Sequence, residues 1–95
     1  MFDLAQLRQS AALVHRHMAP TPQLSWPLLA QRTGCEVWVK HENHAPTAAF
    51  KVRGGLVYID ALLRREPQVR GLVTATRGNH GQSLALAARA AGLTI

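Results

Sequence analysis

Two short stretches hold most of the residues that could do chemistry: ENHAPTAAFKVRGG at positions 42–55 and TATRGNHGQS at 74–83. In the first, Lys51 lies between Phe50 and Val52, close to an expected helix start. The positive end of a helix disfavours a charged ammonium, and apolar neighbours would strip it of water; both effects favour the neutral amine. A neutral amine attacks carbonyls and forms a Schiff base. Taken without its neighbours, the residue is better read as an ordinary surface lysine.

In the second stretch an expected strand runs into a glycine-bearing turn that opens a helix. Unpaired amides at such a turn suit an anion, either a phosphate or a substrate carboxylate, and a plain helix cap is the alternative. No Gly-Lys-Ser/Thr follows and no GxGxxG pattern is present, which excludes a Walker loop and a dinucleotide fingerprint. The five histidines make poor metal ligands: His15 and His17 point to nearly opposite sides of an expected helix, and His41 and His44 have no partners at ligand spacing. No metal site is expected. Cys35 is read as a small apolar residue, because no base is paired with it, and Asp60 lacks a second carboxylate for glycosidase-type chemistry.

These residues have to be positioned by a small domain. The 95 residues, 47% apolar and 17% charged, have globular composition and allow one domain. The net charge of +6 raises nucleic acid as a partner, but the arginines are scattered, so no nucleic-acid binding is expected. No run approaches the roughly 18 apolar residues of a membrane span, and MFDLAQLRQS lacks the features of a secretory signal. One cysteine fits a reducing cytoplasm.

Leu4, Leu7, Ala11, Val14 and Met18 recur at helical steps, predicting a helix over 3–17 capped by Asp3. Three prolines in APTPQLSWP impose extended or turn geometry, and 28–33 could make a short helix stopped by Gly34. CEVWVKHE alternates like a strand, with Val37 and Val39 on one face and Trp38 and Lys40 on the other. Thr47 could cap a helix reaching Arg65, with Phe50, Val57, Tyr58, Ala61 and Leu62 as its apolar members and Pro67 closing it. GLVTAT reads as a second strand, 82–91 as a helix ended by Gly92, and LTI as the start of a third strand. Strands alternating with helices predict an α/β fold with a parallel sheet and flanking helices, incomplete in this chain.

Together these stretches resemble the serine/threonine dehydratase family of pyridoxal-phosphate enzymes, which have the tryptophan-synthase-β-like fold. VKHENHAPTAAFKVRGG is similar to the family's KxENxxPTGSFKxRGA, and TATRGNHGQSLALAARAAGL to its SSGNHxQ segment and the alanine-rich helix after it. PTPQLSWPLLAQRTGCEVWVK is similar to the TPLxxSxxL lead-in. The resemblance covers about residues 20–95 in order, and two linked motifs are far more specific than either alone. It implies that residues 1–95 are the amino-terminal portion of a catalytic domain. Lys51 would hold pyridoxal 5′-phosphate as a Schiff base and remove the Cα proton of an amino acid. Phe50 would pack beside the cofactor ring and Asn79 would hydrogen-bond its 3′ oxygen. The turn formed by Thr76, Arg77, Gly78, Asn79 and His80 would bind the substrate carboxylate through its amides.

The implied reaction is dehydration and deamination of L-threonine or L-serine to a 2-oxo acid and ammonia by a cytoplasmic, homo-oligomeric parent protein. A 3-hydroxyaspartate dehydratase and a threonine synthase-like enzyme are alternatives on the same fold; a non-catalytic remnant or interaction module is the alternative of another class. Two departures bear on this. Ala48 and Ala49 replace the glycine and serine of PTGSFK, and Arg77 stands at the second turn serine. In racemising relatives that serine works opposite the lysine; an arginine is a poor base, so elimination is expected over racemisation, and Arg77 could instead recognise an additional carboxylate. The family's glycine-rich phosphate cup and pyridine-nitrogen partner lie beyond position 95, so the activity is expected of the parent and not of this segment alone.

Overall fold

The computed structural model describes residues 2–95. Its first helix, α1 (Leu4–His15), starts where the sequence asks it to. The Asp3 side chain accepts from the Gln6 amide and the Gln6 side chain accepts from the Asp3 amide, so two orphan donors are satisfied reciprocally. The stripe expected along its length is buried only at the far end. Leu13, Val14 and Met18 enter the core, while Leu4 and Leu7 stay exposed.

Strand β1 (Gln23–Ser25), helix α2 (Pro27–Thr33) and strand β2 (Trp38–Lys40) come next. Gly34 ends α2 as expected, with its amide on the Ala30 carbonyl. Val37 and Val39 are half-buried while Trp38 and Lys40 are exposed, so the alternation predicted for this strand holds. The ladder itself is antiparallel, pairing Gln23 with Lys40, Leu24 with Val39 and Ser25 with Trp38. This differs from the expected parallel sheet, because Gln23–Ser25 of the proline-rich segment provides the partner strand. Cys35 is exposed in the turn before β2 and not packed as a small apolar residue.

Helix α3 (Lys51–Arg65) begins three residues later than a Thr47 cap would place it. Ala48 takes φ 52°, which no α-helix accommodates, and the Thr47 hydroxyl bonds the Ala49 carbonyl instead. The core-facing stripe of α3 is Val52, Gly55, Leu56, Ile59 and Leu62. Of the apolar members expected from the sequence, only Leu62 belongs to it; Phe50, Tyr58 and Ala61 face outward.

Helix α4 (Asn79–Ala90) packs on α3 through Leu84 and Ala87, joined by Val14 and Met18 in one cluster. Each fully buried aliphatic side chain in this seam contributes on the order of 1.5–3 kcal/mol. The segments expected as second and third strands meet in one parallel bridge, Gly71 to Thr94, with the Leu72 amide on the Thr94 carbonyl and the Thr94 amide on the Arg70 carbonyl. Leu72 and Thr74 turn inward and Val73 outward, so the stretch has strand alternation but only one bridged position. Among the described residues, no helix is long and apolar enough to cross a membrane.

Candidate functional site

A cavity of about 450 Å³ lies between the first turns of α3 and α4 and the extended segment 72–74. Lys51, Tyr58, Thr74 and His80 bring polar groups to it, over a floor that includes Gly54 and Gly55. The two stretches singled out in the sequence therefore meet at one place.

Lys51 is the first residue of α3 and is exposed. The desolvation expected from its neighbours is not provided within this chain: Val52 points into the core, and Phe50 is 62% exposed. The Lys51 ammonium lies 5.5 Å from the centre of the Phe50 ring, within cation–π range. The other lysine of the chain, Lys40, donates to the Thr21 carbonyl at 3.2 Å and lies 3.9 Å from Glu42. The Lys51 ammonium makes no hydrogen bond or salt bridge among the described residues, so its amine is the one available for chemistry.

The loop before Lys51 is clamped from outside the cavity. Arg53 grips Glu42 through two bonds, Nε to Oε2 at 2.8 Å and Nη2 to Oε1 at 2.9 Å, and the Thr21 hydroxyl donates to Glu42 Oε1 at 2.6 Å. The Arg53 hydrogen bonds hold the Glu42 carboxyl down at about 2, against partial burial; Thr21 and the charges of Arg53 and Lys40 help to lower it. The same contact raises the Arg53 guanidinium above its ordinary value. Glu42 and Arg53 bracket the loop in sequence, so this ion pair closes it into a fixed shape.

The turn before α4 is built differently. Thr76 Oγ1 accepts from the amides of Gly78 at 3.1 Å and Gly81 at 2.9 Å, doing for α4 what an N-cap side chain usually does. Gly78, the N-cap residue itself, has φ 149°, a conformation closed to residues with side chains. A Cβ on Gly81 would lie 2.4 Å from Thr76 Cγ2. The amides of Asn79 and His80 have no acceptor among the described residues, nor does the Asn79 side chain have a partner. Thr76, Arg77, Gly78, Asn79 and His80 are all exposed; of these only His80 lines the cavity, and Arg77 pairs with no acidic side chain among the described residues.

A free primary amine, two unpaired helix-start amides and a glycine floor suit a flat anionic aldehyde: the amine condenses, the amides take negative charge, and the glycines let a ring approach the backbone. The sequence pattern gave no site role to Tyr58, Leu72, Leu84 or Ser83. Ser83 is fully buried and donates to the Lys51 carbonyl at 2.7 Å. The close spacing of Gly55 and Ser83 to the two motifs was the available signal, but helical periodicity does not tell which glycine faces which serine.

Residues 14–95 match the family model described as pyridoxal-phosphate dependent enzyme. L-threonine ammonia-lyase of Thermotoga maritima is 44% identical over 93 residues, covering 98% of this chain and 23% of that protein. Serine racemase of Bos taurus is 40% identical over 75 residues, covering 77% of this chain and 22% of that one. The crystal structure of a pyridoxal 5′-phosphate-dependent aspartate racemase superposes with a TM-score of 0.87 at 34% identity, over 95% of this chain and 29% of that chain. The chain spans 20–27% of the length of the first curated relatives it matches.

Proposed function

This chain belongs to the pyridoxal-phosphate dependent enzymes, and from that premise we propose that it is the lysine-bearing, amino-terminal part of an ammonia-lyase acting on L-threonine or L-serine. Its cofactor is pyridoxal 5′-phosphate, which supplies an aldehyde for imine formation and an electron sink that makes a carbanion at Cα accessible. The observation that carries the reading is the free amine of Lys51 at the cavity, in a chain whose other lysine is engaged.

Lys51 would hold the cofactor through its side-chain amine, and the same Nζ would take the Cα proton of the substrate. The Asn79 and His80 amides would orient the substrate carboxylate at the positive end of α4, and the Asn79 side chain would hold the cofactor's ring oxygen. Loss of the β-hydroxyl and hydrolysis give the 2-oxo acid and ammonia. In the full-length protein the Gly71–Thr94 bridge is the seed of a parallel sheet that walls the cavity.

In the full-length protein, Lys51→Ala abolishes both the covalent cofactor and ammonia release from threonine. Retention of either in that variant removes the proposal. A second reading, an acidic hydroxyamino acid such as 3-hydroxyaspartate as substrate, is favoured by Arg77, whose exposed guanidinium beside the α4 start has no acidic partner among the described residues; the aspartate racemase likeness points the same way. Exchange of Arg77 for serine then shifts the ratio of kcat/KM for threonine over 3-hydroxyaspartate at least 10-fold towards threonine, on the scale of one lost charged contact. An unchanged ratio rejects that substrate.

A further inference from the structure

We infer that Ser83 is a positioning residue: its buried hydroxyl pins the backbone of Lys51 to α4 and sets the register between the cofactor lysine and the Asn79–His80 turn. The inference rests on the reading of Lys51 given above and extends it to a residue that touches neither cofactor nor substrate.

Ser83 Oγ is fully buried and bonds the Lys51 carbonyl at 2.7 Å, across the seam between α3 and α4. Its neighbours along the seam, Leu84, Ala87 and Ala88, are apolar and buried, so an alanine would fill the same space without a hydroxyl to satisfy. Burying a hydroxyl is unfavourable unless it is bonded, and packing alone gives no reason for one here. What the hydroxyl adds is direction, since a hydrogen bond fixes one carbonyl against one helix position and an apolar contact does not.

The geometry around it is equally tight. A Cβ on Gly55 would lie 2.2 Å from Ser83 Oγ and 2.8 Å from the Ser83 carbonyl oxygen, so α3 and α4 touch backbone to side chain at this point. Gly55 is one helical turn beyond Lys51, and Ser83 is one turn beyond Asn79; residues four apart share a helix face, about 6 Å apart along the axis. The Gly55–Ser83 contact is therefore the pivot about which Lys51 and Asn79 are held at the same level. A slip there misaligns the amine with the groups that orient the substrate, and misplacement on the scale of 1 Å costs roughly 100-fold in rate.

The test uses full-length protein loaded with pyridoxal 5′-phosphate, comparing the parent with Ser83→Ala. Three quantities are read: the cofactor's induced circular dichroism near its imine absorption, kcat and KM for threonine, and the thermal midpoint. The expected result is a cofactor still on Lys51, an induced signal at least halved, kcat down about 10-fold with KM within about 2-fold, and a midpoint close to the parent's. Unchanged dichroism and kcat overturn the inference. If Ser83→Ala yields no folded protein, Ser83→Cys, of similar size but a weak donor, is judged by the same signals. A parent without cofactor on Lys51 overturns both this inference and the reading beneath it, whereas a Lys51 adduct insensitive to Ser83 overturns this inference alone.

Discussion

The two motif regions are held in opposite ways. The segment from Glu42 to Gly55 is fixed on several sides: the bidentate Arg53–Glu42 pair, the Thr21 hydroxyl, Val52 in the core and Ser83 on the Lys51 carbonyl. The turn from Thr76 to His80 is exposed throughout, and its side-chain anchorage is one threonine hydroxyl. The contrast fits the two tasks proposed for these regions. A covalent anchor has to be in one place before its ligand arrives, while a turn that closes on a substrate can leave its amides open until they are used.

The largest effect is expected at Gly55. Gly55→Ala drives a methyl group into Ser83 and forces the helices apart, and we expect a loss of about 3 kcal/mol in denaturant unfolding of the full-length protein. A loss below about 1 kcal/mol would mean that the seam is looser than described.

The ion-pair clamp comes next. Replacing Glu42 with glutamine removes the charged acceptor of Arg53 and costs about 2 kcal/mol at neutral pH. The folded carboxyl sits at about 2, below its ordinary 4.5, so the folded state favours the charged form. That contribution is complete above about 4.5 and is lost as the pH falls through about 2. Stability measured across this window falls less steeply in Glu42→Gln than in the parent; identical slopes would remove the clamp from the account.

On the other side of the contrast, Thr76→Val deprives the Gly78 and Gly81 amides of their acceptor. We expect a loss near 1 kcal/mol in unfolding, together with faster amide exchange confined to 76–82. Exchange accelerated equally at 50–55 would show that the two regions are not independently held. The smallest effect belongs to Ala48, whose φ of 52° suits glycine. Ala48→Gly relieves left-handed strain, partly offset by a more flexible unfolded chain, and raises stability by about 0.5 kcal/mol.

That last position shows how far the sequence could be read. The departure from PTGSFK at Ala48 was visible at once, but its meaning needed the backbone: the position is left-handed and delays α3 until Lys51. The cap at Asp3, the stop at Gly34 and the helix before Gly92 were legible because they depend on neighbours in the chain. The inward face of α3 was misjudged. Phe50, Val57, Tyr58, Ala61 and Leu62 and the observed Val52, Leu56, Ile59 and Leu62 both satisfy helical spacing, and only the position of α4 decides between them. The antiparallel β1–β2 ladder was missed for the same reason, since a ladder depends on a distant partner, whereas the expected second and third strands do meet in one parallel bridge. Of the site, both motifs were legible and their meeting point followed from the family likeness; Ser83 and the clamp across Thr21 were not, because they join residues 32 and 21 positions apart.

The central claim is that Lys51, and not Lys40, carries the cofactor. Reduction of the loaded full-length protein with borohydride, followed by peptide mass mapping, tests it directly. The expected result is a pyridoxyl group on the peptide containing Lys51 and none on that containing Lys40. A pyridoxyl group on any other lysine, with Lys51 unmodified, would contradict it.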